Sequence, residues 1–164
     1  PMNRFIYQYP VFILLLMFGF FHLNSIHAYD NNDLMQFRDT KICPRCDLQV
    51  AEFESMNLNL ADLFGALCTA TSFDLANMQG AILERAVLRA ASFKKTYLEE
   101  ANFKHARLQD ADFEGAHLVN ANFEQSNLRG ANLTEAIIIG ANFSGAIWTD
   151  GVQCKQGSVG FCVK

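Results

Sequence analysis

The chain has 164 residues, 51% of them hydrophobic and 18% charged, with three Pro, ten Gly, a single Trp and fifteen Phe. That length fits one domain, and so much apolar content with so little charge excludes a disordered chain, a collagen-like repeat or a linker. A net charge of −4 at pH 7 argues against a general nucleic-acid binder, whose affinity rests on Lys and Arg set against phosphates.

The first element is an apolar run over residues 11–23, thirteen residues without Asp, Glu, Lys or Arg, preceded by Asn3 and Arg4. A transmembrane helix needs about 20 apolar residues, so the run reads as the h-region of a secretory signal peptide, with a signal anchor or a buried helix as the competing reading. Asn24, Ser25, Ile26, His27 and Ala28 form a polar stretch ending on a small residue, which places cleavage after Ala28. Residues 1–28 are therefore expected to be removed, leaving a periplasmic or secreted protein with no membrane attachment. The first cysteine is Cys43, too far away for a lipid anchor.

Residues 29–45 set Leu34, Met35, Phe37 and Ile42 among charges and are expected to form an N-terminal cap, as a helix or a turn. From Cys46 onward the chain repeats every five residues. Stepping from Leu48 to Trp148, all 21 positions are apolar, and two residues before each of them 16 are Ala, the exceptions being Cys46, Met56, Thr71, Thr96 and Ser126. On a helix at about 100° per residue, five steps advance a side chain by about 140° and scatter the apolar centres. On a straight strand an odd step sends successive centres to opposite faces. The economical solution bends the chain once per pentapeptide, so that every centre points at a common axis.

The number of sides follows from the aromatics. Phe53, Phe73, Phe93 and Phe113 are spaced by 20, as are Phe103, Phe123 and Phe143, so four sides per coil stack them in two columns. At about 4.8 Å per coil, residues 46–150 make about five coils and a rod on the order of 25 Å long. The Ala positions are small because four inward columns converge on a narrow interior, where larger groups overpack at about 1 to 3 kcal/mol. Residues 151–164 are expected to cover the last coil.

The pattern Ala101-Asn102-Phe103, Ala111-Asp112-Phe113, Ala121-Asn122-Phe123, Ala131-Asn132-Leu133 and Ala141-Asn142-Phe143 resembles the pentapeptide-repeat family. The resemblance implies an all-β fold, a right-handed quadrilateral parallel β-helix. Leu67, Ile82, Val87 and Tyr97 stand where that family usually has Asn or Asp. Some members mimic the shape and charge of DNA and protect topoisomerases. That role needs the cytosol and an extended acidic surface. Residues 46–150 do carry fourteen Asp and Glu against seven Lys and Arg.

The cysteines fit an oxidising compartment. Cys154 and Cys162 enclose a Gly-rich loop and are expected to pair. Cys43 and Cys46 are expected to pin the N-terminal cap, with a Cys46 to Cys68 bridge and a thiol redox pair as alternatives. One zinc site made of all four is excluded, because the two pairs lie at opposite ends of the rod. No catalytic constellation, cofactor or metal is predicted: His105 and His117 fall on different sides, and the carboxylates stand on a convex surface without a cleft.

Glu52, Glu54, Asp74, Asp112, Glu114 and Glu135 share one side, interrupted by Lys94 and Lys95. Val119, Ile137 and Ile139 should meet as an outward apolar patch for a protein partner or a homodimer contact. A second apolar group, Leu60, Phe64, Leu67 and Leu75, is expected to lie under residues 29–45. The leading expectation is thus an exported, non-enzymatic structural or protein-interaction module.

Overall fold

The computed structural model of the chain describes residues 29–164. The signal-peptide assignment to residues 1–28 lies outside them. No helix among the described residues is long and apolar enough to cross a membrane.

Every fifth residue from Ile42 to Asn127 makes a parallel bridge with the residue 20 positions on, from Ile42 with Asp62 to Asn127 with Ile147. One circuit therefore takes 20 residues and has four sides. The first side is centred on Phe53, Phe73, Phe93, Phe113 and Leu133, and the second on Leu58, Met78, Leu98, Leu118 and Ile138. The third is centred on Leu63, Leu83, Phe103, Phe123 and Phe143, and the fourth on Leu48, Cys68, Leu88, Leu108, Leu128 and Trp148. The strands are single bridges because each side turns after five residues. Stability therefore comes from stacking between coils, each coil touching only its neighbours.

One rung shows the bonding. The amides of Leu118 and Asn120 donate to the carbonyls of Ile137 and Ile139 at 2.8 and 2.9 Å, and Ile137 N–H returns a bond to Ala116 at 2.9 Å. The corner is closed by Ala121 N–H on Leu118 O at 3.1 Å. The residue two after each centre from Leu48 to Phe143 is left-handed, as in a type II turn, whether it is Gly115 or Gly140, which need no compensation, or Val50 at φ 60°. A non-glycine residue there costs about 1 to 2 kcal/mol. At Val50 its N–H is held by Thr69 O at 2.9 Å, so the conformation is fixed by the lattice rather than by local preference.

The Ala–Asn/Asp–Phe/Leu pattern has a direct cause. Asn102, Asp112, Asn122, Asn132 and Asn142 each turn a side-chain Oδ1 to accept the N–H two residues on, at 3.0 Å in all five. Neighbouring coils link these side chains into ladders, Asn132 onto Asp112 at 3.0 Å and Asn142 onto Asn122 at 3.4 Å.

Inside, the two aromatic columns face each other. Phe93 stacks between Phe73 at 5.1 Å and Phe113 at 4.9 Å, and meets Phe103 edge-on at 5.8 Å. At the small positions Thr71 and Thr96 donate their hydroxyls to Leu48 O and Phe73 O, at 2.7 and 2.8 Å. Ser126 Oγ is buried without a partner among the described residues.

The N-terminal cap is the helix α1, Asn31–Thr40. Asp30 caps it by accepting from Asn32 and Asp33 N–H, and Lys41 ends it in a left-handed conformation. Leu34 and Phe37, three residues apart, form its buried face, and Phe37 meets Phe53 edge-on at 5.0 Å, closing the base of the first column. The helix covers the end of the rod and not its sides. Leu60, 71% exposed, Leu67 and Leu75 stay in solvent, which corrects the expectation that this apolar group is covered. Phe64 is half-buried beneath the Arg85 guanidinium, 5.9 Å from the ring centroid.

At the other end the chain reverses. Asn142 pairs antiparallel with Val159, and Ile147 with Gln153. Residues 152–160 therefore cover the third and fourth sides. Among the described residues no segment pairs with the first and second sides, and Leu133 and Ile138 are only partly buried. The expectation that residues 151–164 cover the whole coil thus holds for half of it.

Candidate interaction surfaces

The cysteines lie at the two ends. Cys43 is disulfide-bonded to Cys46, and Cys154 to Cys162. Cys68 is free and buried, so no bridge joins Cys46 to Cys68. Burial, with the negative Asp47 adding to it and a hydrogen bond with Thr71 opposing it, pushes the Cys68 thiol up to about 12. It is protonated and inert at any ordinary pH.

Sequence reasoning missed Asp33, whose carboxylate comes within 4.8 Å of both Cys43 and Cys46 sulfurs. The only sequence signal was its place in the first turn of α1. With both sulfurs in the disulfide, the thiolates that a zinc ion would require are not available. The carboxylate instead accepts Asp47 N–H at 2.7 Å, tying α1 to the first coil.

The acidic side is less acidic than its composition. Lys94 Nζ lies 3.1 Å from Asp112 and 3.9 Å from Glu114, while its backbone N–H donates to Asp74 at 2.9 Å. The hydrogen bond and charge of Asp112, then Glu114, raise the Lys94 pKa, so the ammonium stays charged and divides the row. Glu54, Asp74, Leu75, Lys94, Lys95 and Glu114 line a shallow, open depression there. On the second side His117 Nδ1 sits 3.6 Å from Glu99, with its ring 4.8 Å from that of Tyr97. His105 is at a corner after the third side, so the two histidines share no site.

The structure places Val119, Ile137 and Ile139 together on the second side, near the bare end. Val119 and Ile139 occupy equivalent positions in adjacent coils, and Ile137 precedes Ile139 by one alternation. Val119 is half-buried, Ile137 is 40% exposed and Ile139 72% exposed. They continue upward from the Tyr97 and His117 rings, because Tyr97, His117 and Ile137 are bridged in succession.

Comparison with known proteins fits this geometry. The family model described as Pentapeptide repeats matches in eight copies, over residues 66–105, 81–118 and 106–145. Residues 66–145 are pentapeptide repeats. Pentapeptide repeats build right-handed β-helix solenoids. No curated protein matches the chain by sequence. Among solved structures the solenoid is similar to a pentapeptide repeat protein from Arabidopsis thaliana thylakoid lumen, at 22% identity and a TM-score of 0.46, covering 70% of this chain and 74% of that one. It is similar to a pentapeptide repeat protein from the cyanobacterium Cyanothece 51142, at 24% identity and a TM-score of 0.35, covering 71% and 97%. It is also similar to QnrB1, a plasmid-mediated fluoroquinolone resistance protein, at 25% identity and a TM-score of 0.39, covering 73% of this chain and 59% of QnrB1.

Proposed function

We propose that this protein is an exported, non-enzymatic pentapeptide-repeat solenoid that acts as a protein-interaction module in the periplasm or outside the cell. The proposed organisation is a signal peptide over residues 1–28, a cap over 29–45, a solenoid of about five coils over 46–150 and a second cap over 151–164. The observation that carries the reading is the contiguous apolar patch on the second side, half-buried Val119 with exposed Ile137 and Ile139, set between the Asn and Asp ladders of the first and third sides. Export is supported by the apolar run at 11–23 and by two disulfides, which persist in oxidising compartments. Pull-down from an envelope extract tests the role: wild type should capture a protein that Val119→Asp and Ile139→Asp both lose, and equal capture by all three ends the assignment of the patch.

The second reading, a DNA-mimicking protector of a topoisomerase, is favoured by the net charge of residues 46–150, seven Lys and Arg against fourteen Asp and Glu. Lys94 weakens it by breaking the acidic row. The N-terminus of the protein in its native host separates the two: a chain beginning near Tyr29 supports export, and intact cytosolic precursor supports the protector. A thiol redox role would use Cys43 and Cys46, yet both sulfur-bearing residues are buried, where an exchanging thiolate has little access.

A further inference from the structure

The bare half of the C-terminal end is an open sheet edge. Among the described residues, the amides of Leu133, Glu135, Ile138 and Gly140 and the carbonyls of Ala131 and Ala136 have no hydrogen-bond partner. One coil below, the equivalent groups are all used. Leu118 and Asn120 donate to Ile137 and Ile139, and Ala116 accepts from Ile137. On each bare side, then, two donors and one acceptor wait at the spacing of a strand. Unpaired edges of this kind are templates for another backbone, and natural proteins blunt them with charge or Pro. Here residues 131–140 contain one charged residue, Glu135, and no Pro.

We propose that the second-side edge, Ile138 and Gly140 N–H with Ala136 C=O, is a strand-addition site for an extended, uncharged, apolar polypeptide segment of a partner protein. Three observations select that occupant. The free groups match the backbone of a strand running parallel to residues 136–140, which supplies two acceptors and one donor as residues 137–139 do for the coil below. The flanking side chains are Ile137 and Ile139, and the half-buried Ile138 lies beneath, so the added strand meets apolar surface on both faces. A second copy is a poor fit: each end carries four free N–H and two free C=O, so two such ends pressed together leave at least half of the N–H groups unmatched. The site rests on the reading of the rod as an interaction module and gives that reading a binding mode.

The test is an NMR titration of the oxidised protein with a blocked synthetic peptide copying residues 135–140 and extended by two lysines for solubility. The repeating lattice makes this sequence the one that already fits the rung below. The Ile138 and Gly140 amides should shift and exchange with solvent at least about tenfold more slowly at saturation. A peptide N-methylated at its first Ile, which removes the donor to Ala136, should bind at least about tenfold more weakly. Ile139→Lys should weaken binding likewise while leaving the unfolding midpoint in place. Three results would overturn the site: no amide response to millimolar peptide, equal binding by the N-methylated peptide, or protection of these amides in a peptide-free dimer, which would make the occupant a second copy. Because the titration reads the edge directly, a failed pull-down beside a bound peptide, or the reverse, separates the edge from the wider functional reading.

Discussion

Truncating Phe93 to Ala removes the middle ring of the first aromatic column. Phe93 is fully buried, stacked on both neighbours and edge-on to Phe103. Losing the ring takes roughly 100 Å² of apolar surface out of the core, or about 2.5 kcal/mol at ~25 cal/mol per Å². The space left behind cannot close easily. Phe73 and Phe113 are held at coil spacing by backbone bonds above and below, including Phe73 N–H on Ser92 O at 2.8 Å and Phe93 N–H on Asp112 O at 2.7 Å. A residual void of roughly 50 Å³ adds about 1 kcal/mol at ~24 cal/mol per Å³, which gives a total of about 3 to 5 kcal/mol. The assay is urea unfolding of the oxidised protein, followed by circular dichroism for the whole rod and by fluorescence of Trp148, which meets Phe143 edge-on at 4.8 Å, for the C-terminal end. Coincident shifts mean that the rod unfolds as one unit. Divergent ones mean that the void cuts the stack in two, as nearest-neighbour coupling allows. A loss below about 1 kcal/mol with an unchanged denaturant slope would refute the buried-column argument.

The hydroxyls at the small positions give opposite expectations: Thr96→Val should cost about 1 to 2 kcal/mol by deleting the bond to Phe73 O, whereas Ser126→Ala should be neutral or stabilising by up to about 1, and both are read by urea midpoints. Cys68 should make stability fall at alkaline pH. Its folded pKa, about 12, lies above its ordinary value of 9.0, so the unfolded chain loses the proton first. The thiol's contribution is complete below pH 9 and declines between pH 9 and 12 at roughly 1.4 kcal/mol per unit, and Cys68→Val should remove that part of the slope. Peptide mapping without reduction should recover Cys43 with Cys46 and Cys154 with Cys162, and an alkylating reagent should reach Cys68 only after unfolding.

The solenoid was legible because its constraint is written into every pentapeptide. An apolar centre such as Phe103 and a small partner such as Ala101 recur without interruption, and no helix or straight strand can use that spacing. The ends carry no such redundancy. Residues 29–45 showed an apolar cluster, yet nothing in their order said that Phe37 would sit under Phe53 while Leu60 and Leu75 stayed in solvent. Similarly, Val159 and Gln153 gave no sign that the chain would turn back on Asn142 and Ile147, so the open edge at Ile138 could not be foreseen. The surface fell between these cases. The patch at Val119, Ile137 and Ile139 followed from 20-residue spacing alone, and Lys94 was visible as an interruption of the acidic row. Its bond to Asp112 depended on side-chain reach across adjacent coils.

The two disulfides close short loops, with partners 3 and 8 residues apart, and neither joins one coil to another. In a stack held by nearest-neighbour contacts, melting begins at the tips and travels inward. Crosslinks at the tips leave the interior as compliant as its own packing makes it, and they slow the step at which a protease would first find loose chain. The rod can therefore gain or lose whole 20-residue coils between its fastened ends without rebuilding either one, which makes its length an adjustable dimension of the molecule.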